Sequence, residues 1–368
     1  MSPVPAADLE HILDHTRALW EPARGKNFFV TGGTGFFGRW IVESFAFINE
    51  RLDLGATMTV LTRDPDRALA AAPGLSGHPA VQFVRGDVRR LHPEEILGQL
   101  HASHSGEFSF IIHAATESGS TLGQDDPLAM FDTIVSGTRG ALEFALGAGA
   151  TRFLFTSSGA VYGPQPSEIA HLPESFLGGP DCTRPASAYG EGKRAAELLC
   201  GCYHAQYPAL EPIIARCFAF VGPYLPIDAH FAIGNFIRDA MGGGPIRIGG
   251  DGTPYRSYLY AADLAIWLWT LLFRGRPVFP YNVGSEEDVT ILELASTVSE
   301  CFVKPIDVEL ARQPLPGVLP SRYVPATGLA QAELGLAGLI PLKDAIIRTA
   351  AWHCSTNPSL ITPRKDSR

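Results

Sequence analysis

Apolar residues fall along this chain in short continuous runs, separated by longer stretches of mixed character. The runs are Asn27–Thr31 (NFFVT), Thr57–Thr62 (TMTVLT), Val81–Val84, Phe108–His113 (FSFIIH), Arg152–Thr156 (RFLFT) and Pro212–Phe220 (PIIARCFAF). Runs of four to eight apolar residues closed by glycine or polar clusters read as strands buried on both faces. Helical patterns separate them at 36–50, 127–148 and 189–206, and an amphipathic stretch over 8–20 precedes the first strand. Strands that alternate with helices imply a parallel sheet covered on both sides, because each crossover lays a helix on one face. The expected fold is therefore α/β, a doubly wound parallel sheet. After residue 222 the alternation gives way to short segments punctuated by Gly242–Gly244 and by Gly249, Asp251 and Gly252. This predicts a smaller C-terminal substrate lobe interleaved with the sheet domain. The expected organisation is an N-terminal helical extension over 1–25, the sheet domain over 26–222, the lobe over 223–354 and a frayed polar tail over 355–368.

Composition narrows the possibilities. The 368 residues allow two domains, and 46% hydrophobic with 18% charged residues is enough for a sizeable core. A formal charge of −9 argues against a nucleic-acid partner but not against an anionic substrate, since a few placed arginines hold a diphosphate inside an acidic protein. The six cysteines (182, 200, 202, 217, 301 and 354) lack paired spacing, so no metal is expected, and each reads as a reduced, buried small apolar residue. The N-terminus carries Asp8, Glu10 and Asp14 and no apolar stretch, so it does not read as a signal peptide. No apolar run reaches the roughly 18 residues of a membrane span, so no membrane association and a cytoplasmic location are expected.

Thr31-Gly32-Gly33-Thr34-Gly35-Phe36-Phe37-Gly38 follows the first strand and opens a helix. In that context glycines let the backbone turn tightly and approach a pyrophosphate, and the helix N-terminus offers free N–H groups and a positive dipole end. The doubly wound sheet thus becomes a Rossmann fold that binds NAD(P) through Gly32, Gly35, Phe36, Phe37 and Gly38. At the end of the second strand Thr62 stands where an NAD-selecting acid is expected, and Arg63 follows it, which favours NADP over NAD. Asp87 and Val88 fit an adenine-contacting turn. His113, Ala114 and Ala115 fit a small-residue floor under the cofactor.

Tyr189-Gly190-Glu191-Gly192-Lys193 opens the helix at 189–206. The four-residue spacing puts Tyr189 and Lys193 on one face, where the ammonium is expected to lower the phenol pKa towards neutrality for general acid–base work. Thr156-Ser157-Ser158-Gly159-Ala160-Val161-Tyr162-Gly163, at a strand end, supplies in Ser158 a hydroxyl to polarise the reacting oxygen. Each motif alone is weak. Turn, serine and YxxxK in this order on alternating strand–helix units form a strong coincidence.

With these residues in place, the chain from about 26 to 345 resembles the extended short-chain dehydrogenases that act on nucleotide sugars. TGGTGFFG, HAA, SSGAVYG and YGEGK match, as do Arg216, Gly222-Pro223, the stretch from Ile246 to Gly252, Arg256 to Tyr260, Asp263, and Tyr281-Asn282-Val283-Gly284. The resemblance implies a catalytic triad of Ser158, Tyr189 and Lys193. It also implies that Arg256 binds the diphosphate, that the segment holding Arg247 lies near the base, and that the chain forms a homodimer through helices near 127–148 and 189–206. Three departures matter. Ile134 and Ala219 replace asparagines of the family, leaving Asn235 as the polar candidate for the substrate phosphates. At Gly159 and Ala160 the family's 4,6-dehydratases carry Asp-Glu, and its decarboxylases carry a glutamate at the second position.

The expected function is a nucleotide-sugar epimerase acting at C4 through a transient ketone. The alternatives are an NADPH-dependent ketoreductase, which would consume its cofactor, and a non-catalytic dinucleotide sensor, against which the intact triad argues.

Overall fold

The structure is a computed structural model and describes residues 2–91, 93–100, 107–116, 126–229 and 231–354. The expected tail at 355–368 lies outside the described residues. Seven strands form the central sheet: β1 (Asn27–Thr31), β2 (Thr57–Thr62), β3 (Val81–Arg85), β4 (Phe110–His113), β5 (Arg152–Ser158), β6 (Glu211–Cys217) and β11 (Pro280–Val283). Their spatial order is β11-β6-β5-β4-β1-β2-β3, and every neighbouring pair is parallel. The order reverses direction between β1 and β4, the switch point at which doubly wound sheets take their ligands.

Alternation along each strand builds two cores. Phe28 and Val30 of β1 point to one face and Phe29 to the other, all with zero exposure. On the first face lie α1 (Ala6–Thr16), α2 (Phe36–Arg51) and, after the sixth strand, a helix over Ala261–Arg274. On the second lie two long helices, Pro127–Gly147 and Ala188–Gln206. The helix Ala261–Arg274 is buried continuously from Ala261 to Leu272, so it shows no amphipathic stripe, and the sequence pattern had not revealed it. It is covered on one side by the N-terminal segment. Trp20 packs against Trp269 with ring centres 4.7 Å apart and planes tilted by 58°, and the Tyr260 hydroxyl donates to the buried Asp8 carboxylate at 2.6 Å. Asp8 also pairs with Arg348.

The expected single strand at 212–220 is two. β6 ends at Cys217, and β7 (Phe220–Val221) leaves the sheet to pair with β10 (Leu259–Tyr260). The break falls at Phe218, whose N–H is taken by the carbonyl of Val283 on β11. The remaining short strands form the lobe: β8 (Ile246–Ile248) pairs with β13 (Val308–Leu310), and β9 (Tyr255–Ser257) lies between β12 (Asp288–Thr290) and β14 (Arg322–Tyr323). Because β11 rejoins the main sheet from within this region, the lobe is threaded through the sheet domain. Cys200, Cys217, Cys301 and Cys354 are buried free thiols, whereas Cys182 and Cys202 are exposed, against the expectation for those two.

Candidate active site

The glycine turn follows β1, at this switch point. Gly32 has φ +75°, and a Cβ there would lie 2.5 Å from the carbonyl carbon and oxygen of Ala114. Only glycine lets the first loop touch the loop after β4 so closely. The helix α2 starts at Gly35 without a side-chain cap, so its first N–H groups are left for a ligand. Gly35 is exposed, and its own Cβ would meet nothing closer than 3.5 Å, so the space above the turn is open. Phe36 and Phe37 are half-buried against the core, Phe37 edge-on to Phe220 at 5.1 Å. The turn, the uncapped helix end and the small residues opposite fit a dinucleotide pyrophosphate.

His113 ties this region together. Its two ring nitrogens bond Thr31 Oγ1 at 2.7 Å and Thr138 Oγ1 at 3.1 Å. Burial, with the nearby Lys193 charge, pushes its pKa down to about 3, so the ring is neutral and acts as a brace beneath Ala114 and Ala115. At the ends of β2 and β3, Thr62 closes a turn onto Asp64, while the exposed Arg63 gives its carbonyl to Arg85 at 3.0 Å. Asp87 grips Arg89 at 2.6 Å, which holds its carboxyl below the usual range, and Val88 packs inward.

Ser158 ends β5, and Tyr189 and Lys193 stand one turn apart at the start of the helix Ala188–Gln206. Lys193 is 2% exposed. Its ammonium donates to the Thr156 carbonyl and to Thr116 Oγ1, both at 2.7 Å, and lies 5.9 Å from the Tyr189 ring centre. Desolvation lowers its pKa to about 8. Tyr189 is half-buried, with Ser158 and Cys217 near its phenol. Its pKa is raised, not lowered as the sequence led us to expect: burial outweighs the Ser158 hydrogen bond, and the Lys193 ammonium is spent on Thr116 and a carbonyl. Behind the strand, Ser157 donates to Glu197 at 2.5 Å, and Glu197 is held by Arg216 at 2.6 Å. This ion pair fixes the strand end that presents Ser158.

Two residues at this site carried no sequence signal that we read. Thr116 shares the Lys193 ammonium. Tyr323, from the two-residue strand β14, is paired with Arg256 across to β9, packs on the Phe218 ring at 4.7 Å, and brings its hydroxyl to within 2.7 Å of where a Gly159 Cβ would stand. The candidate substrate residues separate. Arg256 reaches this cluster, lying near Tyr258 and Tyr323. Arg247 is largely exposed and pairs with Glu309 at 3.5 Å on the neighbouring strand. Asn235, on the helix Ala232–Met241, accepts from Arg238 at 2.9 Å. Glu174, a carboxyl the sequence could not place, accepts the Asn282 N–H at 3.0 Å through Oε1.

Residues 28–284 match the model of the NAD dependent epimerase/dehydratase family, well over half of the chain. The chain belongs to this family. The family member UDP-glucuronic acid decarboxylase 6 of Arabidopsis thaliana is 31% identical over 333 residues, covering 88% of this chain and 90% of its own. UDP-glucuronic acid decarboxylase 1 of Danio rerio is 26% identical, over 89% of this chain and 72% of its own. Among solved structures, the dTDP-glucose 4,6-dehydratase of Streptomyces venezuelae with NAD bound superposes with a TM-score of 0.72 at 26% identity, covering 89% of this chain and 97% of that one. The UDP-glucose 4-epimerase of Thermotoga maritima superposes with a TM-score of 0.73 at 21% identity, over 90% and 99% of the two chains, which is a likeness of fold. This family member is therefore an NAD(P)-dependent nucleotide-sugar enzyme of the extended short-chain dehydrogenase class, with NAD(P) as its cofactor class. Among the described residues, no helix is long and apolar enough to cross a membrane.

Proposed function

We propose that the chain oxidises the C4 hydroxyl of a nucleotide-diphosphate sugar to a transient ketone and reduces it again with inversion, as a nucleotide-sugar 4-epimerase. The observation that carries this reading is the cluster of Ser158, Tyr189 and Lys193 beside two residues, Gly159 and Ala160, that cannot transfer a proton. Bound at the glycine turn, a nicotinamide dinucleotide supplies the acceptor and then the donor of hydride. Tyr189 exchanges the proton of the reacting hydroxyl, and Ser158 hydrogen-bonds the same oxygen. Lys193 holds positive charge beside Tyr189 and is the residue to bind the cofactor ribose. Arg256 is the residue to bind the diphosphate, with Asn235 and Arg247 as further substrate contacts. Dehydration needs two more positioned proton transfers, each contributing about 100- to 10,000-fold. Gly159 and Ala160 supply neither, and Glu174 is committed to the Asn282 backbone.

Identity to the decarboxylases favours a second reading. On a sugar acid, the same oxidation at C4 places a ketone β to the carboxylate; carbon dioxide can then leave with its bonding pair passing into a C4–C5 enolate, which takes a proton at C5 before hydride returns to C4. Ala160, at the family's glutamate position, weighs against it.

The test is to incubate the protein with nucleotide hexoses and UDP-glucuronic acid and follow products by NMR. A C4-inverted sugar without net cofactor consumption supports the epimerase. Released carbon dioxide with a nucleotide pentose supports the second reading. A 6-deoxy-4-keto sugar overturns both, and one cofactor consumed per product indicates a ketoreductase. We further infer a preference for NADP from Arg63 at the end of β2. Arg63→Ala then weakens NADP binding by about 1–3 kcal/mol, the range for a hydrogen bond to a charged group, and leaves NAD binding unchanged. Equal losses for both cofactors in a binding titration remove this inference.

A further inference from the structure

Lys193 carries its ammonium on a flexible four-carbon stem, so the groups that accept its N–H bonds decide where the charge sits. Two acceptors meet it from separate elements. The Thr156 carbonyl lies on β5 and Thr116 Oγ1 on the loop after β4, each 2.7 Å from Nζ. The Phe155 ring centre is 4.8 Å away, and its face favours a cation.

The hydroxyl acceptor is itself held in orientation. A threonine hydroxyl has one proton to donate and two lone pairs to accept with. Thr116 gives its proton to the Ala115 carbonyl at 2.9 Å, which leaves only lone pairs to face Lys193. The loop behind it is pinned to the end of β1. The Ala114 N–H bonds the Thr31 carbonyl at 3.1 Å, and the Ala115 N–H bonds Thr31 Oγ1 at 3.3 Å. That same Thr31 hydroxyl bonds His113 Nδ1 at 2.7 Å. Lys193 is thereby tied, through Thr116, to the residue that precedes Gly32. With a hydrocarbon side chain at 116, the Thr156 carbonyl would be the one acceptor left to the ammonium among the described residues, and a buried donor without a partner is costly.

We propose that Thr116 is a positioning residue for Lys193: its hydroxyl, oriented by the Ala115 carbonyl, accepts one ammonium N–H and fixes Nζ between the ends of β4 and β5. The remaining N–H is then the one to meet the cofactor ribose. The titratable groups that face Lys193 are Tyr189, Glu197 and Cys200 on its own helix, Cys217 on β6 and His113 on β4. Substitution at 116 leaves all five in place.

The inference rests on the catalytic reading of Lys193, so the decisive measurement needs no turnover. The full-length chain, free of cofactor, is labelled with carbon-13 at the lysine Cε, and its five lysines give few resonances to resolve. The Lys193 resonance is assigned by its loss in Lys193→Met. Its titration midpoint, about 8 in the unsubstituted chain, should fall by about one pH unit in Thr116→Val, because a hydrogen bond that favours the charged form is lost. Thr116→Ala should lower it equally, and Thr116→Ser, which keeps the hydroxyl, should hold it at the original value. An unchanged midpoint in Thr116→Val, or a fall in Thr116→Ser as large as in Thr116→Val, overturns the inference. If the midpoints move as expected while no nucleotide sugar is turned over, the tether stands and the proposed reaction falls. With turnover in hand, the alkaline limb of the kcat profile should move to lower pH by about the same amount in Thr116→Val and stay in place in Thr116→Ser.

Discussion

At the scale of single residues, burial sets the chemistry of this site more than charge does. Tyr189 and Lys193 are neighbours on one helix face, yet the ammonium is turned onto Thr116 and the Thr156 carbonyl, and both groups are pushed towards their neutral forms. Tyr189→Phe removes one hydroxyl and should lower turnover at least about 100-fold, the lower end for a lost general acid or base, with cofactor binding retained. Near-normal turnover would remove Tyr189 from the mechanism. Lys193 makes a prediction that needs no substrate. Its folded pKa, about 8, lies below the 10.5 of an ordinary lysine, so between these the unfolded chain binds more protons than the folded one. Stability contributed by this residue therefore rises with pH across that window, by at most about 1.4 kcal/mol per pH unit. The buried thiols Cys200, Cys217 and Cys301 act in the opposite sense, because their folded pKa values are raised. The quantity to measure is accordingly the difference in denaturant stability between the chain and Lys193→Met. That difference should shift in favour of the unsubstituted chain from pH 8 towards 10.5; a flat difference would mean that Lys193 titrates at an ordinary pKa.

At the scale of elements, the site is a meeting of strand ends. The loops after β1 and β4 are pressed together at Gly32 and Ala114, and His113 bonds across to β1 and to the helix Pro127–Gly147. Gly32→Ala puts a Cβ 2.5 Å from backbone atoms at a positive φ, so the two loops must move apart. We expect a loss of about 1–3 kcal/mol in stability, the usual size of such strain, together with a loss of cofactor affinity, read by thermal melts and by calorimetric titration with NAD. Unchanged affinity would show that the pyrophosphate does not sit on this turn. The elements that hold the triad were legible because each is a local pattern: a short apolar run, a glycine turn, a helix with YxxxK. The helix Ala261–Arg274 was not, because its amphipathic stripe is erased where the N-terminal segment covers its outer side. The run at 212–220 concealed a strand change because its residues, Arg216 apart, are apolar on both sides of the break whichever sheet they join.

At the scale of the whole molecule, the two long helices Pro127–Gly147 and Ala188–Gln206 pack against each other and turn apolar side chains outward. Leu128 is 78% exposed and Leu198 69%, with Phe131 and Tyr207 also on the surface. Burying such residues is favourable by about 25 cal/mol per Å² of apolar surface removed from water. We therefore predict a homodimer formed through these helices, and Leu198→Glu should convert it to monomer without loss of fold. Light scattering that shows a monomer of the unsubstituted chain at micromolar concentration would end this prediction.

What the sequence determined by itself is what depends on short-range pattern. Period and run length specified an α/β sheet, the glycine motif specified a tight turn between β1 and α2, and the spacing of Tyr189 and Lys193 specified a shared helix face. What only the tertiary structure decided is whatever requires distant segments to meet. The sequence placed Ser158 beside Tyr189, but Tyr323 arrives from a two-residue strand with no motif around it, and only the packing of β14 against Phe218 and Gly159 brings it there. The direction of the Tyr189 pKa was decided in the same way. Sequence spacing reports that an ammonium is near, whereas the pKa depends on how much water the fold excludes and on which acceptors, here Thr116 and the Thr156 carbonyl, claim that ammonium first.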